Sequence, residues 1–259
     1  MPPVPDLTRP GHLPPLRRVG HKGADHVAPG NTFESFQAAL DLHVDMIEFD
    51  VLRLRDGRLV LAHDYEDAER RTPPTLEEGL DHFAHDAYAD VELDVDLKLP
   101  GYEREVVDGI VDRGLADRVL ISSQYLESLE RIGELAPQIR RGWSVPKVRR
   151  DYTKTPLAPF AYGVARAWRL RLPGRASGLL GSGGVEAIMS HWVLVSPRLV
   201  RAVHRAGGQL YVWTVDDGPR IAALEALGVD GVITNDPRLF AAGEASPGTG
   251  SFPGPRPSS

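Results

Sequence analysis

Acidic residues occupy alternate positions in two short segments whose other residues are mostly apolar. Glu48 and Asp50 alternate with apolar residues in MIEFDVLRL (46–54), and VELDVDLKL (91–99) repeats the pattern. In the second segment the charged positions are Glu92, Asp94, Asp96 and Lys98. Because the side chains of a strand point alternately to its two faces, each segment predicts a β-strand with one charged and one apolar face.

The charged faces indicate a site for a divalent cation. Buried carboxylates are costly unless a positive charge accompanies them, and Glu48 and Asp50 can share one cation with Asp96 of a neighbouring strand. Ligands that are all oxygen favour Mg²⁺ or Ca²⁺, with Mn²⁺ also compatible. A half-exposed antiparallel sheet is the alternative, which the surrounding strand–helix repeat disfavours. The chain has no cysteine, so thiolate ligands, thiolate catalysis and disulfides are excluded.

Two histidines end predicted strands. His21 ends the first strand and His63 ends the strand of a predicted hairpin. Beside a cation, such a pair suits general acid–base catalysis, because imidazole gains and loses protons near neutral pH. Lys22 and Lys98 would add positive charge for an anionic group such as phosphate.

The other seven histidines are weaker candidates by position. His26 is expected at the rim of the same face, and His191 ends a later predicted strand. Those predicted on the surface are His12, His43, His82, His85 and His204.

About eight strand–helix units and one hairpin follow one another between residues 16 and 242. The predicted strands begin with 16–21, 46–54, the hairpin strand 58–64, 91–99 and 118–124, and four more follow in the C-terminal half. Thr32 and Thr75 are predicted helix N-caps, and Glu78 would complete a capping box. This repeat, in a chain of 259 residues, predicts a single (β/α)₈ TIM barrel with an extra β-hairpin and no sizeable inserted domain. A doubly wound open sheet is the alternative.

Composition sets the remaining expectations. The net charge of -6 and the pI near 5.9 show no nucleic-acid footprint. No apolar run has the length of a signal peptide core or a membrane span, so the expected location is cytoplasmic. Residues 1–15 are rich in Pro, residues 243–259 are rich in Gly, Pro and Ser, and both segments are predicted to be disordered. The oligomeric state is not predicted.

Residues 151–183 mix apolar and basic side chains on a predicted helix around 156–172. The favoured interpretation is a helix packed on the barrel. The alternative is peripheral contact with anionic lipid, because basic amphipathic helices lie on membrane surfaces.

An ordered set of short motifs resembles the glycerophosphodiester phosphodiesterase family from about residue 17 to 240. In chain order the motifs are His21-Lys22-Gly23, Ala28-Pro29-Gly30-Asn31-Thr32, Glu48-Phe49-Asp50, Asp56-Gly57, His63-Asp64, Pro74-Thr75-Leu76-Glu77-Glu78, Asp96-Leu97-Lys98, Trp213-Thr214-Val215 and Gly231-Val232-Ile233-Thr234-Asn235-Asp236-Pro237. The resemblance implies a (β/α)₈ barrel that uses a divalent cation to hydrolyse glycerophosphodiesters to glycerol phosphate and an alcohol.

The resemblance also implies roles for particular residues. His21 and His63 would be the catalytic histidines, and Lys98 would contact phosphate. Trp213 would line the substrate pocket. The metal ligands implied are Glu48, Asp50 and Asp96.

The chain departs from the family pattern at several points. Lys22 stands where the family usually has arginine, which keeps the charge but loses the two-pronged grip on phosphate. Gly30 replaces a glutamate, and Asp96 replaces a longer glutamate. The short segment between His63 and Thr75 leaves no room for the small inserted domain of many members, which predicts a more open site.

These departures keep other functions open. A lysophospholipase D-like or sphingomyelinase D-like enzyme would act on lipid substrates at the same cation site. A barrel that binds a phosphate ligand without turnover is a second alternative, which the retained histidines disfavour. A metal-dependent barrel enzyme acting on a sugar is a third.

Overall fold

Eight parallel strands close into a barrel in the computed structural model, which describes residues 15–147 and 158–244. The barrel strands are β1 (Arg17–Gly20), β2 (Met46–Arg53), β4 (Glu92–Leu97), β5 (Val119–Ser123), β6 (Arg140–Val145), β7 (Ala187–His191), β8 (Gln209–Trp213) and β9 (Gly231–Thr234). Strand β1 pairs with both β2 and β9, which closes the barrel. The predicted TIM barrel is therefore confirmed, and the open-sheet alternative is wrong.

The predicted hairpin is present but shorter than expected. Strand β3 (Leu59–Val60) runs antiparallel to β2, after a turn in which Gly57 has a φ of +94°. The strand predicted over 58–64 ends at Val60, so His63 lies in a loop rather than at a strand end. The chain turns there because Asp64 caps α2 (Tyr65–Arg70), its carboxylate accepting a hydrogen bond from Asp67 N at 2.8 Å.

Helices surround the barrel, and most follow a strand. They are α1 (Phe33–Asp41), α3 (Leu76–Phe83), α4 (Glu103–Asp112), α5 (Leu126–Leu135), α6 (Ala158–Gly181), α7 (Pro197–Arg205), α8 (Gly218–Leu227) and α9 (Arg238–Glu244). Both predicted caps are confirmed: Thr32 accepts from Ser35 N, and Thr75 forms a capping box with Glu78. Only the six-residue α2 lies between β3 and α3, as expected without an inserted domain.

The apolar residues form two layers. One lies between the strands and the helices and includes Phe49, Leu93 and Val95. The other fills the barrel and consists of Val19, Met46, Leu120, Ala187, Met189, Tyr211 and Ile233. Because Phe49 and Leu93 face the helices, their charged neighbours on β2 and β4 point into the barrel, as the alternation predicted.

Several predictions concern residues at the edges of the described ranges. The segments predicted to be disordered lie outside the described residues, except for residue 15 and the end of α9. In the segment 151–183, for which a helix packed on the barrel was favoured over lipid contact, residues 151–157 lie outside the described residues, and helix α6 continues to Gly181. Within the described ranges, no helix combines the length and apolarity needed to cross a bilayer.

Candidate active site

Three carboxylates meet at the carboxyl ends of β2 and β4. The strands pair in a register that places Asp50 beside Asp96 and Glu48 beside Asp94. One oxygen from each of Glu48, Asp50 and Asp96 lies within 4.8 Å of the others. Glu48 and Asp50 are buried, and the ammonium of Lys98 contacts both Asp50 and Asp96.

The electrostatics of this acidic cluster are unbalanced. Burial and the nearby Asp50 carboxylate raise the pKa of Glu48 well above its usual range. Burial would also raise the pKa of Asp50, but the Lys98 ammonium, together with His63 and His21, outweighs burial, and the pKa lies well below its usual value. The carboxylates in turn raise the pKa of Lys98 against the effect of burial. One ammonium thus accompanies three carboxyl groups, which leaves an excess of negative charge.

The acidic cluster fits a divalent cation. Its donors are all carboxylate oxygens, which suit hard cations such as Mg²⁺ and Ca²⁺. Burial and repulsion from Asp50 both raise the pKa of Glu48, and a bound cation would offset both effects. Glu48, Asp50 and Asp96 are therefore the residues able to hold such an ion.

Two acidic residues on the same face of β4 do not join the acidic cluster. Glu92 lies at the opposite end of the barrel, where it pairs with Arg17 at 2.6 Å and Arg140 at 2.7 Å. Asp94 lies between the two ends, and burial together with Asp96 raises its pKa to about 8. Asp94 is therefore mostly a neutral acid at neutral pH.

His21 directly follows β1 and is held by a residue from the other end of the chain. Its Nδ1 lies 2.5 Å from Oδ1 of Asn235, and its Nε2 lies 3.8 Å from Oε2 of Glu48. The amide nitrogen of Asn235 donates to Asp216 Oδ2 at 2.7 Å, which leaves Oδ1 to face His21. A carbonyl oxygen only accepts, so Nδ1 carries the proton and the Nε2 lone pair faces the acidic cluster.

The imidazole of His21 is neutral at neutral pH. Burial and the Lys22 ammonium lower the pKa of His21 to about 4, although the Asp50 carboxylate acts in the opposite direction.

Lys22 forms part of a tight loop beside Glu48. Its backbone N donates to Glu48 Oε2 at 2.8 Å, and its ammonium pairs with Asp25 at 2.6 Å. Gly30 N donates to Asp25 Oδ1, and a Cβ on Gly30 would lie 2.6 Å from that oxygen. Glycine at position 30 thus leaves room for the Asp25 carboxylate that holds Lys22.

Asn31 positions Asp50. Its amide nitrogen donates to Asp50 Oδ2 at 2.8 Å, and its Oδ1 accepts from Asp50 N at 3.0 Å. The side chain is fully buried, and the backbone φ is +58°, a left-handed conformation that asparagine tolerates better than most residues.

His63 and Trp213 lie on the same end of the barrel but are less closely tied to the acidic cluster. His63 is half exposed, and its Nδ1 lies 3.1 Å from Asp64 Oδ2. It is close enough that its charge contributes to the lowered pKa of Asp50. Trp213 ends β8, where its Nε1 donates to Met189 O at 2.9 Å and its ring contacts His191 edge to face.

Two histidines predicted on the surface, His82 and His204, are instead largely or partly buried. His82 stacks on Phe33 and forms a 2.9 Å hydrogen bond with the Tyr88 hydroxyl. His204 Nε2 lies 2.8 Å from Asp230 Oδ2. The positions of His82 and His204 in the sequence give no indication of these partners. His26, by contrast, is exposed on the loop after β1, where the rim was expected.

The sequence profile of the glycerophosphoryl diester phosphodiesterase family matches residues 21–73 and 66–239, which together span the acidic cluster and both histidines. This chain belongs to the glycerophosphoryl diester phosphodiesterase family. The family assignment makes the protein a phosphoric diester hydrolase.

Curated relatives agree with this family membership, and a solved structure shares the fold. Glycerophosphodiester phosphodiesterase of Caldanaerobacter subterraneus is 26% identical over 257 residues, covering 86% of this chain and 95% of the relative. The enzyme of the same name from Bacillus altitudinis is 25% identical, covering 84% and 93%. An Oleispira antarctica phosphodiesterase, solved with the product sn-glycerol-3-phosphate, shares the fold with a TM-score of 0.65 at 22% identity, covering 90% and 97%.

Four residues of this family member's site escape prediction from the sequence. In the sequence, Asn31 directly precedes the predicted N-cap Thr32, which indicates a role in starting a helix rather than in the site. Asp25 lies in a polar loop without a motif of its own. Asn235 directly follows β9, and Asp216 lies shortly after β8. The carboxyl ends of barrel strands are where functional residues are found. That position is the signal that could have found them.

Proposed function

We propose that this chain hydrolyses glycerophosphodiesters to glycerol 3-phosphate and an alcohol, with His21 as the general base and His63 as the general acid. The observation that carries the proposal is the fixed tautomer of His21, whose Nε2 faces the acidic cluster. The product-bound Oleispira antarctica relative supports the substrate class.

His21 is suited to accept a proton. Its pKa of about 4 keeps Nε2 unprotonated at neutral pH, and Asn235 holds Nδ1–H so that Nε2 remains directed at the acidic cluster. The proton would come from water or from a neighbouring hydroxyl of the substrate's glycerol.

His63 is suited to donate a proton to the leaving oxygen. It is half exposed at the mouth of the site, where the leaving alcohol can depart to solvent. The Asp64 carboxylate, 3.1 Å from Nδ1, compensates the charge of the imidazolium. The two histidines would exchange protons with the substrate on different sides of the phosphorus.

Glu48, Asp50 and Asp96 would hold the divalent cation, which when bound supplies positive charge to phosphate oxygens. Lys98 lies in the acidic cluster and would contribute a further positive charge as the transition state forms. Asn31 holds Asp50 in place, and Asp25 holds Lys22. Trp213 would form one wall of the substrate pocket. Mg²⁺, Ca²⁺ and Mn²⁺ all remain compatible with this donor set.

A lipid diester is a second candidate substrate. Between His63 and Thr75 the chain has only the short helix α2, so no inserted domain covers that side of the site. Such an opening would admit a lysophospholipid as in lysophospholipase D-like or sphingomyelinase D-like enzymes.

A substrate panel tests the proposal. The purified chain is treated with chelator, then assayed with Mg²⁺, Ca²⁺ or Mn²⁺ on glycerophosphocholine, glycerophosphoethanolamine and lysophosphatidylcholine. Metal-restored release of glycerol 3-phosphate from the first two supports the proposal. Release of choline from lysophosphatidylcholine alone favours the second candidate, and binding of glycerol 3-phosphate without any turnover would contradict both.

A further inference from the structure

Helices α6 and α7 carry a strong local excess of positive charge in a chain whose net charge is -6. Between residues 158 and 215 the chain has seven arginines, no lysine and one acidic residue. That acidic residue, Glu186, is paired with Arg141 at 2.7 Å. Because the rest of the chain is acidic, this surface is electrostatically distinct from the remainder of the molecule.

Five of the arginines form what we call the arginine face. They are exposed and form no salt bridge with another described residue: Arg166, Arg171, Arg198, Arg201 and Arg205. The last three follow one side of α7, at spacings of three and four residues that place them on one helix face. A row of guanidinium groups that have no carboxylate partner among the described residues is arranged to meet phosphate oxygens, since arginine binds them through two parallel N–H groups.

A groove separates the two helices beneath this row. It has a volume of about 450 Å³ and is lined by Pro173, Gly174, Ser177, Arg198, Arg201, Ala202 and Arg205. A Cβ added to Gly174 would meet no atom within 4 Å, so the groove is open at that point. Small residues on α6 opposite arginines on α7 make a concave, cationic surface the size of a phosphate-containing head group.

An exposed leucine accompanies the arginines. Leu170 is 64% exposed and precedes Gly174 by four residues on α6, so it lies on the face that lines the groove, one turn nearer the helix start. Arginines beside an exposed apolar side chain are typical of surfaces that bind the head-group region of a membrane.

Helix α6 is longer than the strands that it packs beside. Its 24 residues span about 36 Å, whereas a five-residue strand such as β7 spans about 17 Å. Residues 182–186 join the end of α6 directly to the start of β7. The additional length of α6 therefore extends beyond the carboxyl ends of the strands, on the side where the acidic cluster lies.

We propose that the arginine face, with Leu170, docks this protein on membranes that contain anionic phospholipid. Charge complementarity determines the occupant, and the exposed leucine favours a bilayer over a nucleic acid. This inference is independent of the proposed substrate.

Vesicle co-sedimentation tests the docking surface. The full chain is mixed with phosphatidylcholine vesicles with or without phosphatidylglycerol, at about 0.1 M salt, where surface charges still interact over about 10 Å. We expect binding only to the anionic vesicles, weakening as salt rises. In the variant R198Q/R201Q/R205Q the partition coefficient should fall about 100-fold, because each basic residue near an anionic surface contributes roughly fivefold.

A matched variant and a nucleic acid complete the experiment. R70Q/R104Q/R131Q removes the same charge from exposed arginines on α2, α4 and α5, and should keep most of the vesicle binding. Both variants should retain the wild-type melting temperature and hydrolysis of a water-soluble diester. Equal loss in the two variants, no preference for anionic vesicles, or tighter binding to single-stranded RNA than to vesicles would overturn the proposal.

Discussion

Oδ1 of Asn235 lies 2.5 Å from Nδ1 of His21, although the two residues are 214 positions apart in the chain. Asn235 follows the last barrel strand and His21 follows the first, and these strands pair in register from Arg17 to Gly20. Closure of the barrel is therefore what fixes the imidazole, and the Asp216 carboxylate in turn fixes the asparagine.

Asn235→Ala should lower kcat by roughly 10- to 100-fold, the size of effect seen when the hydrogen-bond partner that orients a metal-ligating histidine is removed. The imidazole would lose its fixed tautomer, whereas substrate contacts would remain, so KM should change little. Steady-state kinetics on a glycerophosphodiester measure kcat and KM separately. Asp236→Ala, next in the chain and paired with Arg238, is the control; an equal loss of kcat in both variants would show a structural effect only.

The activity should persist well below the ordinary histidine pKa of 6.5. A base with a pKa of about 4 stays unprotonated, and therefore active, until the pH falls toward that value. Asn235→Asp places a carboxylate beside Nδ1, which favours the imidazolium, so the acidic limb of kcat/KM should move to higher pH. A pH–rate profile of both proteins checks this, and an unchanged limb in the variant would argue that another group controls it.

Asp96→Asn and Asp94→Asn should behave differently although the two residues are neighbours on one face of β4. Asp96 contributes to the excess negative charge of the acidic cluster, so its replacement should weaken divalent-cation binding by at least 10-fold. Asp94, with a pKa of about 8, is mostly uncharged at neutral pH, and asparagine resembles that form. Calorimetric titration with Mg²⁺, Ca²⁺ and Mn²⁺ measures the cation affinity of both variants. Equal weakening would place Asp94 among the ligands.

His204 and Asp230 should make stability depend on pH. The hydrogen bond with Asp230 raises the pKa of His204 in the folded state, so the pair stabilises fully below 6.5 and the contribution is lost as pH rises through the raised value. Both side chains are largely buried, and His204→Gln should reduce the free energy of unfolding by about 1 kcal/mol in acid. The difference from wild type should shrink in alkali. Urea denaturation at several pH values measures it, with exposed His85→Gln expected to show no such trend.

The sequence predicted the elements of the fold better than the partners of individual residues. Alternation along β2 and β4 is a local property, so the inward direction of Glu48, Asp50 and Asp96 could be predicted. Depth within the barrel is not local: Glu92 shares the face of Asp96, yet it meets arginines from β1 and β6 at the other end. Only the strand register shows which acidic residues share a layer.

Loops were the least predictable part of the site. Asn31 reaches Asp50 because its backbone adopts a left-handed conformation, which the sequence Gly-Asn-Thr permits but does not require. His63 was expected at a strand end and lies beyond it, since Asp64 begins α2 there. Asn235 meets His21 only after the barrel has closed. Each of these contacts depends on tertiary structure rather than on a sequence pattern.

The most direct test of the proposed mechanism is the rate of glycerol 3-phosphate release from glycerophosphocholine by wild type and His21→Ala, each loaded with the activating cation. Loss of the base should reduce kcat by ~10²–10⁴-fold, while calorimetry shows that the variant still binds the cation. Wild-type turnover in His21→Ala would contradict the account, because the fixed imidazole would then have no part in the reaction.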